Sequence, residues 1–186
     1  MLRGYRGRMI TRTRPVVAFT LLLVALGMIS GCAPQAEPEP TPSAVFASEE
    51  EAFKAAEETY RAYNEVFNNL NYQDLVTLEP LAELSTPENF ALERKAVSEF
   101  GAEGIVRGGR AEVEWFRPQA YKVGESLTAW SCINISATTF VDSSGTSIVP
   151  STRPKRYALE VVMVLYRKQW VVSETSEMED PSCPPS

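Results

Sequence analysis

The chain contains no histidine among its 186 residues and only three cysteines. Histidine is the commonest general base at neutral pH and the commonest zinc ligand, so its absence excludes the histidine-dependent enzymes and zinc sites. The sequence also lacks a phosphate-binding loop, a G-x-S-x-G nucleophile motif and metal-ligand spacing. We therefore predict no cofactor and no metal, and we expect a protein that is not an enzyme.

Basic residues are scarce after position 31. Residues 32–186 contain 13 of the 18 lysines and arginines and all 24 acidic residues, a net charge of −11 against −6 for the whole chain. Nucleic-acid phosphates and anionic lipid head groups both attract proteins through a positive surface. The acidic balance therefore argues against a nucleic-acid partner and against lipid binding driven by charge.

The first 31 residues have the organisation of an export signal. These residues include five arginines and no acidic residue. The arginines precede residues 16–29, which are almost wholly apolar. That run is shorter than the roughly 20 residues that a permanent membrane-spanning helix needs, and it suits the apolar core of a signal peptide. The arginines are Arg3, Arg6, Arg8, Arg12 and Arg14.

The apolar run ends in Ile29-Ser30-Gly31-Cys32, which resembles the lipobox of bacterial lipoproteins. This resemblance implies cleavage before Cys32 and attachment of lipid, including acyl chains such as palmitate, to that cysteine. We expect a membrane partner through this lipid and a location on the extracytoplasmic face of the cell membrane. The alternative is an uncleaved signal anchor in which Cys32 has no role. Arg12 and Arg14 are not adjacent, so general secretion is favoured over a twin-arginine route.

Residues 32–47 are rich in proline and glutamate, a composition too polar to bury a core. We predict a disordered tether that lifts the following domain off the bilayer, at about 3 Å per residue when extended. The alternative is an ordered arm packed on the domain. Residues 48–186 then form a single domain with a C-terminal tail.

The start of this domain predicts three helices. Ser48 and Glu51 form a capping box, and the following helix runs to about residue 69. Residues 71–84 predict one short helix interrupted near Pro80. Ser85-Thr86-Pro87-Glu88 predicts the start of a third helix, which ends near residue 100. The first helix has one face formed by Phe53, Ala56, Tyr60, Tyr63, Phe67 and Leu70.

From residue 101 onward the pattern predicts β-strands. Residues 111–123 form a strand that Pro118 interrupts, which indicates a bulge or an edge position. Residues 127–141 predict one longer strand that ends in a turn at residues 142–145. Residues 157–166 are mostly apolar or β-branched, which is typical of a central strand, and a turn leads into the last strand at residues 170–173.

Helices followed by about four antiparallel strands predict an α+β fold in which the N-terminal helices pack on a curved sheet. The opening helix with Tyr60 and Tyr63, and the closing hairpin Val164-Leu165-Tyr166-Arg167-Lys168-Gln169-Trp170-Val171-Val172, resemble the first and last elements of the NTF2-like superfamily. The resemblance covers residues 48–174 and implies a cone, in a superfamily where dimerisation through the sheet is common. Residues 132–145 and Cys183 are also similar to small secreted actinobacterial lipoproteins, a family defined by export and fold rather than by an activity.

Cys132 and Cys183 are the remaining thiols of a chain that we expect to be exported. Exported cysteine pairs are usually oxidised, so we predict a disulfide that joins the second long strand to the tail. It would close a loop of about 50 residues and stabilise the fold by roughly 4 kcal/mol. The alternative is a redox or metal site made by two free thiols, without a C-x-x-C motif or a histidine to support it.

Three glutamates on predicted strands are the candidates for a catalytic base: Glu112, Glu114 and Glu160. A carboxyl group buried among aromatic side chains has a raised pKa and can take up a proton at neutral pH. Alternation places Glu112 and Glu114 opposite Trp115, on a face that we expect to be solvated. Glu160 lies in a central strand and needs a cationic partner, for which the sequence offers Arg117 and Arg156.

Two functional hypotheses follow. The first is a non-catalytic domain that binds an envelope protein or forms a homodimer through an exposed aromatic face of the sheet, made by Phe116, Trp130 and Phe140. The second is a carrier for a small apolar molecule held inside the cone, in a pocket lined by Tyr60, Tyr63, Trp115 and Tyr157.

Overall fold

The structure is a computed structural model that describes residues 45–178 and residue 183. The expected signal peptide, the lipid-attachment residue Cys32 and residues 32–44 of the expected tether lie outside the described residues. Within residues 45–178, no helix is long and apolar enough to cross a membrane.

Helix α1 spans Glu49–Asn68 and begins at the predicted capping residue. The Ser48 hydroxyl accepts a hydrogen bond from the backbone N–H of Glu51 at 3.1 Å. One face of α1 is buried, formed by Ala52, Ala56, Tyr60, Tyr63 and Val66. The predicted helix is therefore confirmed, with Phe53 and Phe67 at the margins of its buried face, where they are partly exposed.

Two further helical segments precede the strands. A 3-10 helix over Leu75–Glu83 contains Pro80 and is capped by the Asp74 side chain. Helix α2 spans Pro87–Ala102, with Thr86 as its capping residue and Pro87 in its first turn, as the sequence predicts. Proline is tolerated there because its missing N–H would have no partner within the helix.

Four antiparallel strands form the main sheet. From one edge to the other they are β2 (Glu112–Lys122), β3 (Ser126–Asn134), β5 (Arg156–Tyr166) and β6 (Gln169–Glu177). The short strands β1 (Val106–Gly108) and β4 (Thr139–Val141) pair with each other in a second sheet. The predicted α+β class, with helices before an antiparallel sheet, is confirmed.

The predicted single strand over residues 127–141 is wrong, because it divides into β3 and β4 in different sheets. A turn separates them. The Asn134 side chain accepts from the N–H of Ser136 at 3.0 Å, and Thr138 donates from its N–H to the carbonyl of Ile135 at 2.9 Å. Side-chain capping of this kind competes with strand pairing and ends the ladder.

A β-bulge at Glu114 changes which side chains of β2 face the helices. The pairing of β2 with β3 slips between Val113 and Trp115. As a result Glu114 and Trp115 do not lie on opposite faces as strict alternation predicts. Trp115 is paired with Cys132, on the face that points away from α1, which we call the outer face of the sheet.

The core lies between α1 and the inner face of the main sheet. Trp170 of β6 is 2% exposed and donates from its indole N–H to the carbonyl of Ala52 at 2.9 Å. Phe46 stacks on the same indole with ring centroids 5.7 Å apart. Phe46 therefore packs on the core of the domain, although it lies in the segment that we assigned to the tether.

Candidate functional site

Aromatic side chains fill the space between α1 and the sheet. Tyr60 stacks on Tyr63 with ring centroids 6.2 Å apart, and it contacts Phe116 at 5.4 Å. Tyr63 in turn contacts Phe67 at 5.2 Å. Tyr60 and Tyr63 are 1% and 5% exposed, so both belong to the packed core. Burial raises the pKa of Tyr60 to about 12, against an opposing hydrogen bond with Ser131.

The four residues expected to line the cone pocket are not brought together. Tyr60 and Tyr63 are core residues, whereas the bulge at Glu114 turns Trp115 to the outer face. Tyr157 is half-buried and pairs with Ile133 at the far end of the ladder between β5 and β3. The three cavities described below lie at the surface, and none of them is lined by these four residues.

The three residues expected to form an exposed aromatic face are also separated. Phe116 is 7% exposed and contacts Tyr60 on the inner face. Phe140 lies in the small sheet and stacks on Tyr72 with ring centroids 6.5 Å apart. Only Trp130 is both on the outer face and exposed, at 40%.

Trp130 lies between two opposite charges. It pairs directly with Arg117 of β2 on one side and with Glu160 of β5 on the other, so the three side chains form a row across the outer face. The Arg117 guanidinium carbon lies 4.3 Å from the centroid of the Trp115 ring, a cation–π contact. Neither Arg117 nor Glu160 forms an ion pair within the described part of the chain.

Arg156, one of the two cationic partners that we considered for Glu160, pairs instead with Glu114. The Arg156 Nε atom donates to the Glu114 carboxylate at 2.8 Å, and Asn134 donates to the same oxygen at 3.1 Å. The other Glu114 oxygen lies 3.5 Å from the Cys132 Sγ atom. Glu114 thus forms an ion pair with Arg156 that links β2 to β5 on the outer face.

Cys132 and Cys183 form a disulfide, at a separation of 51 positions in the chain. Cys132 is fully buried on the outer face, beside Ala158. The bond fixes Cys183 of the tail to β3 on the outer face, two residues along the strand from Trp130.

Other parts of the chain bond to a few backbone groups at each edge of the main sheet. At the β2 edge, Asn68 exchanges two hydrogen bonds with the backbone of Ala111, and Arg61 donates to the carbonyl of Val113. At the β6 edge, the backbone of Val172 bonds to Leu84 and Thr86. Bonds of this kind block the addition of another strand at the residues that they cover.

The surface cavities of the described residues include the following three. A polar one of about 380 Å³ lies between α1 and the start of β2, where Arg110 and the two asparagines Asn68 and Asn69 hold the pKa of Glu65 at about 2. A second of about 200 Å³ lies between the 3-10 helix and the hairpin of β5 and β6. The third, of about 270 Å³, is an apolar groove lined by Phe100, Ile105, Phe140, Ile148, Val149, Pro150 and Arg153.

Sequence reasoning missed the apolar groove because its walls come from segments far apart in the chain. Phe100 ends the apolar pattern of α2, and Ile148 and Arg153 lie in a loop with no periodicity. No local signal relates them. Within residues 45–178 no cluster of three or more acidic, cysteine or histidine side chains could hold a metal ion. No fully buried side-chain nitrogen or oxygen in this part of the chain lacks a hydrogen-bond partner.

No protein-family model matches the chain, and no curated protein matches it. Among solved structures it is similar to the intermembrane space region of the chloroplast protein ARC6, at 14% identity and a TM-score of 0.47, over 68% of this chain and 95% of that chain. It is also similar to the putative transfer protein TraH from the Gram-positive conjugative plasmid pIP501, at 10% identity and a TM-score of 0.43, over 68% and 93%. At these values the likeness carries no argument about function.

Proposed function

We propose that the chain is an extracytoplasmic lipoprotein whose domain is a non-catalytic assembly module. Lipid on Cys32 holds it to the cell membrane, and its NTF2-like domain pairs with a second copy through the outer face of the sheet. The export signal and the lipobox-like ending at Cys32 support the anchor. The opening helix and the closing hairpin support the NTF2-like assignment.

The row Arg117–Trp130–Glu160 is the observation that carries the proposal. Its ends bear opposite charges without ion-pair partners in the described residues, and its centre is a large exposed aromatic side chain. A surface with this order is complementary to itself. When a two-fold axis runs along β3 near Trp130, Arg117 of each copy meets Glu160 of the other, and the two Trp130 rings meet near the axis.

Other modes of interaction have less support. Bonds from Arg61 and Asn68 at the start of β2, and from Leu84 and Thr86 to Val172 of β6, disfavour strand addition at those positions. The packed interior around Tyr60 disfavours a carrier that holds its ligand in the cone.

The test measures the mass of the exported chain in solution. The chain carries Cys32→Ser so that no lipid or detergent is needed, and its mass is followed by sedimentation across the micromolar range. We expect a dimer. Arg117→Glu and Glu160→Arg should each weaken it by about tenfold or more, because each places like charges together twice in a two-fold interface.

The double variant Arg117→Glu with Glu160→Arg restores the order of opposite charges and should restore the dimer. Val76→Ser is the control. Val76 is 73% exposed and lies in the 3-10 helix, outside the outer face of the sheet. A wild-type chain that stays monomeric throughout the range would contradict pairing with a second copy. A dimer that the double variant fails to restore would contradict this arrangement of the two copies.

A further inference from the structure

The apolar groove lies on a part of the molecule that the proposed dimer does not use. It is bounded by the C-terminal end of α2, by Ile105, by β4 and by residues 148–153. Its volume of about 270 Å³ is just below the range of about 300–1,000 Å³ that is usual for drug-sized ligands. It therefore suits one short chain rather than a large molecule.

Two of the side chains that line the groove are large, apolar and exposed to solvent. Phe100 is 42% exposed and Ile148 is 46% exposed. Both line the same groove, together with the better buried Ile105 and Phe140. A ligand that covered Phe100 and Ile148 would remove apolar surface from water without any rearrangement of the core.

Arg153 is the only charged residue of the groove. Its Nη2 atom donates to the carbonyl oxygens of Ile135 at 3.1 Å and Thr138 at 2.8 Å, which fixes the guanidinium at the groove wall. No carboxylate forms an ion pair with it within residues 45–178. A guanidinium has five N–H donors, so most of them stay available for a ligand.

We propose that this groove binds an amphipathic carboxylate with a single medium-length acyl chain. The acyl chain lies against Phe100 and Ile148, and the carboxylate accepts hydrogen bonds from Arg153. Charge complementarity selects the anion, because the groove has one cation and no acidic side chain. Residues 32–186 carry a net charge of −11, so the attraction of an anion to the groove depends on Arg153 itself.

Three probes with the same chain length and different head groups test the proposal. Decanoate, decanol and decyltrimethylammonium are titrated below their micelle concentrations into the exported chain that carries Cys32→Ser, and binding is followed by calorimetry and by methyl NMR signals of Ile148. We expect one decanoate per chain, bound about tenfold or more tighter than decanol, because a hydrogen bond to a charged group adds that much affinity. The cationic probe should not bind.

Variants separate the two halves of the groove. Ile148→Ser should weaken decanoate and decanol alike, whereas Arg153→Gln should bring decanoate down to the affinity of decanol. Arg153→Lys keeps the charge and should keep most of the preference, which distinguishes ligand binding from the support that Arg153 gives to the turn at residues 135–138. Val76→Ser, far from the groove in the chain, is the control and should change nothing.

Equal binding of the three probes, or decanoate binding that Ile148→Ser leaves unchanged, would overturn the proposal. Failure to saturate before micelles form would overturn it as well. These outcomes do not depend on dimerisation, since the groove residues and the row that contains Trp130 share no side chain.

Discussion

The hydroxyl group of Tyr63 in α1 donates a hydrogen bond to the carboxylate of Glu93 in α2, with 3.3 Å between the two oxygen atoms. The amide of Asn89 donates to the same hydroxyl at 3.2 Å. Burial raises the pKa of Glu93 above its ordinary value, and the bond from Tyr63 opposes this only in part. Burial, followed by the nearby charge of Glu93, raises the pKa of Tyr63 far above its usual range.

The raised pKa of Glu93 makes stability depend on pH. The fold favours the protonated acid more than the unfolded chain does, so this contribution is complete below pH 4.5, the ordinary value, and is lost as pH rises through the higher pKa of the folded protein. We expect Glu93→Gln, which mimics the neutral acid, to be more stable than wild type at neutral pH. The two proteins should converge in acid. Urea unfolding at a series of pH values measures the difference.

Glu99→Gln on the same helix is the control for this comparison. Glu99 is exposed and pairs with Lys95 at 2.6 Å, so its loss should cost only a few tenths of a kcal/mol and should not stabilise the protein at neutral pH. A Glu93→Gln protein that is less stable than wild type at neutral pH would show that the charged form of Glu93 supports the fold.

Removal of the disulfide should lower the free energy of unfolding substantially. Cys132→Ser combined with Cys183→Ser opens a loop of 51 positions, which the chain-entropy model values at about 4 kcal/mol. Guanidinium unfolding of the double variant measures the loss, and wild type treated with a dithiol reductant should match it. The Cys32→Ser chain keeps the bond and is the control. Equal stability with and without the bond would show that the tail contributes nothing to the fold.

Trp170 should be far more sensitive to conservative change than Trp130. Trp170→Phe removes the hydrogen bond to the carbonyl of Ala52 and leaves a gap in the core, which together should cost about 2–4 kcal/mol. Trp130→Phe changes an exposed side chain on the outer face and should cost less than about 0.5 kcal/mol. Thermal unfolding of the two variants at low protein concentration gives the comparison. Similar losses would mean that the Trp170 bond is dispensable.

Local signals were sufficient for the helices and for the fold class. The Ser48 hydroxyl and the Thr86-Pro87 pair determine where α1 and α2 begin, and both act on backbone groups within one turn. The bulge predicted near Pro118 is present, because the pairing of β2 with β3 slips between Pro118 and Ala120. Each of these features depends on residues close together in the chain.

The side of the sheet on which Trp115 lies could not be predicted from the sequence. It depends on the bulge at Glu114, for which the sequence has no local signal. At Glu114 the strand gains one unpaired residue, and the side chains from Trp115 to Pro118 change face until the bulge after Pro118 restores the alternation. The break between β3 and β4 depends only partly on local bonds, because Arg153 from another part of the chain also donates to the carbonyls of Ile135 and Thr138. For this reason the expected pocket and the expected aromatic face each combined residues that lie on different surfaces.

Gly109 should be the glycine whose replacement damages the fold most clearly. It has φ of +69°, and a Cβ atom there would collide with the carbonyl of Ala137 in the turn between β3 and β4. Gly145 is the matched control, since it has φ of +83° and open space around the position of a Cβ atom. Gly145→Ala should therefore cost only the backbone strain, about 1–2 kcal/mol. Gly109→Ala adds the collision and should cost at least about 1 kcal/mol more in urea unfolding. Equal losses would mean that the turn moves aside freely, and that the Arg153 bonds do not hold it in place.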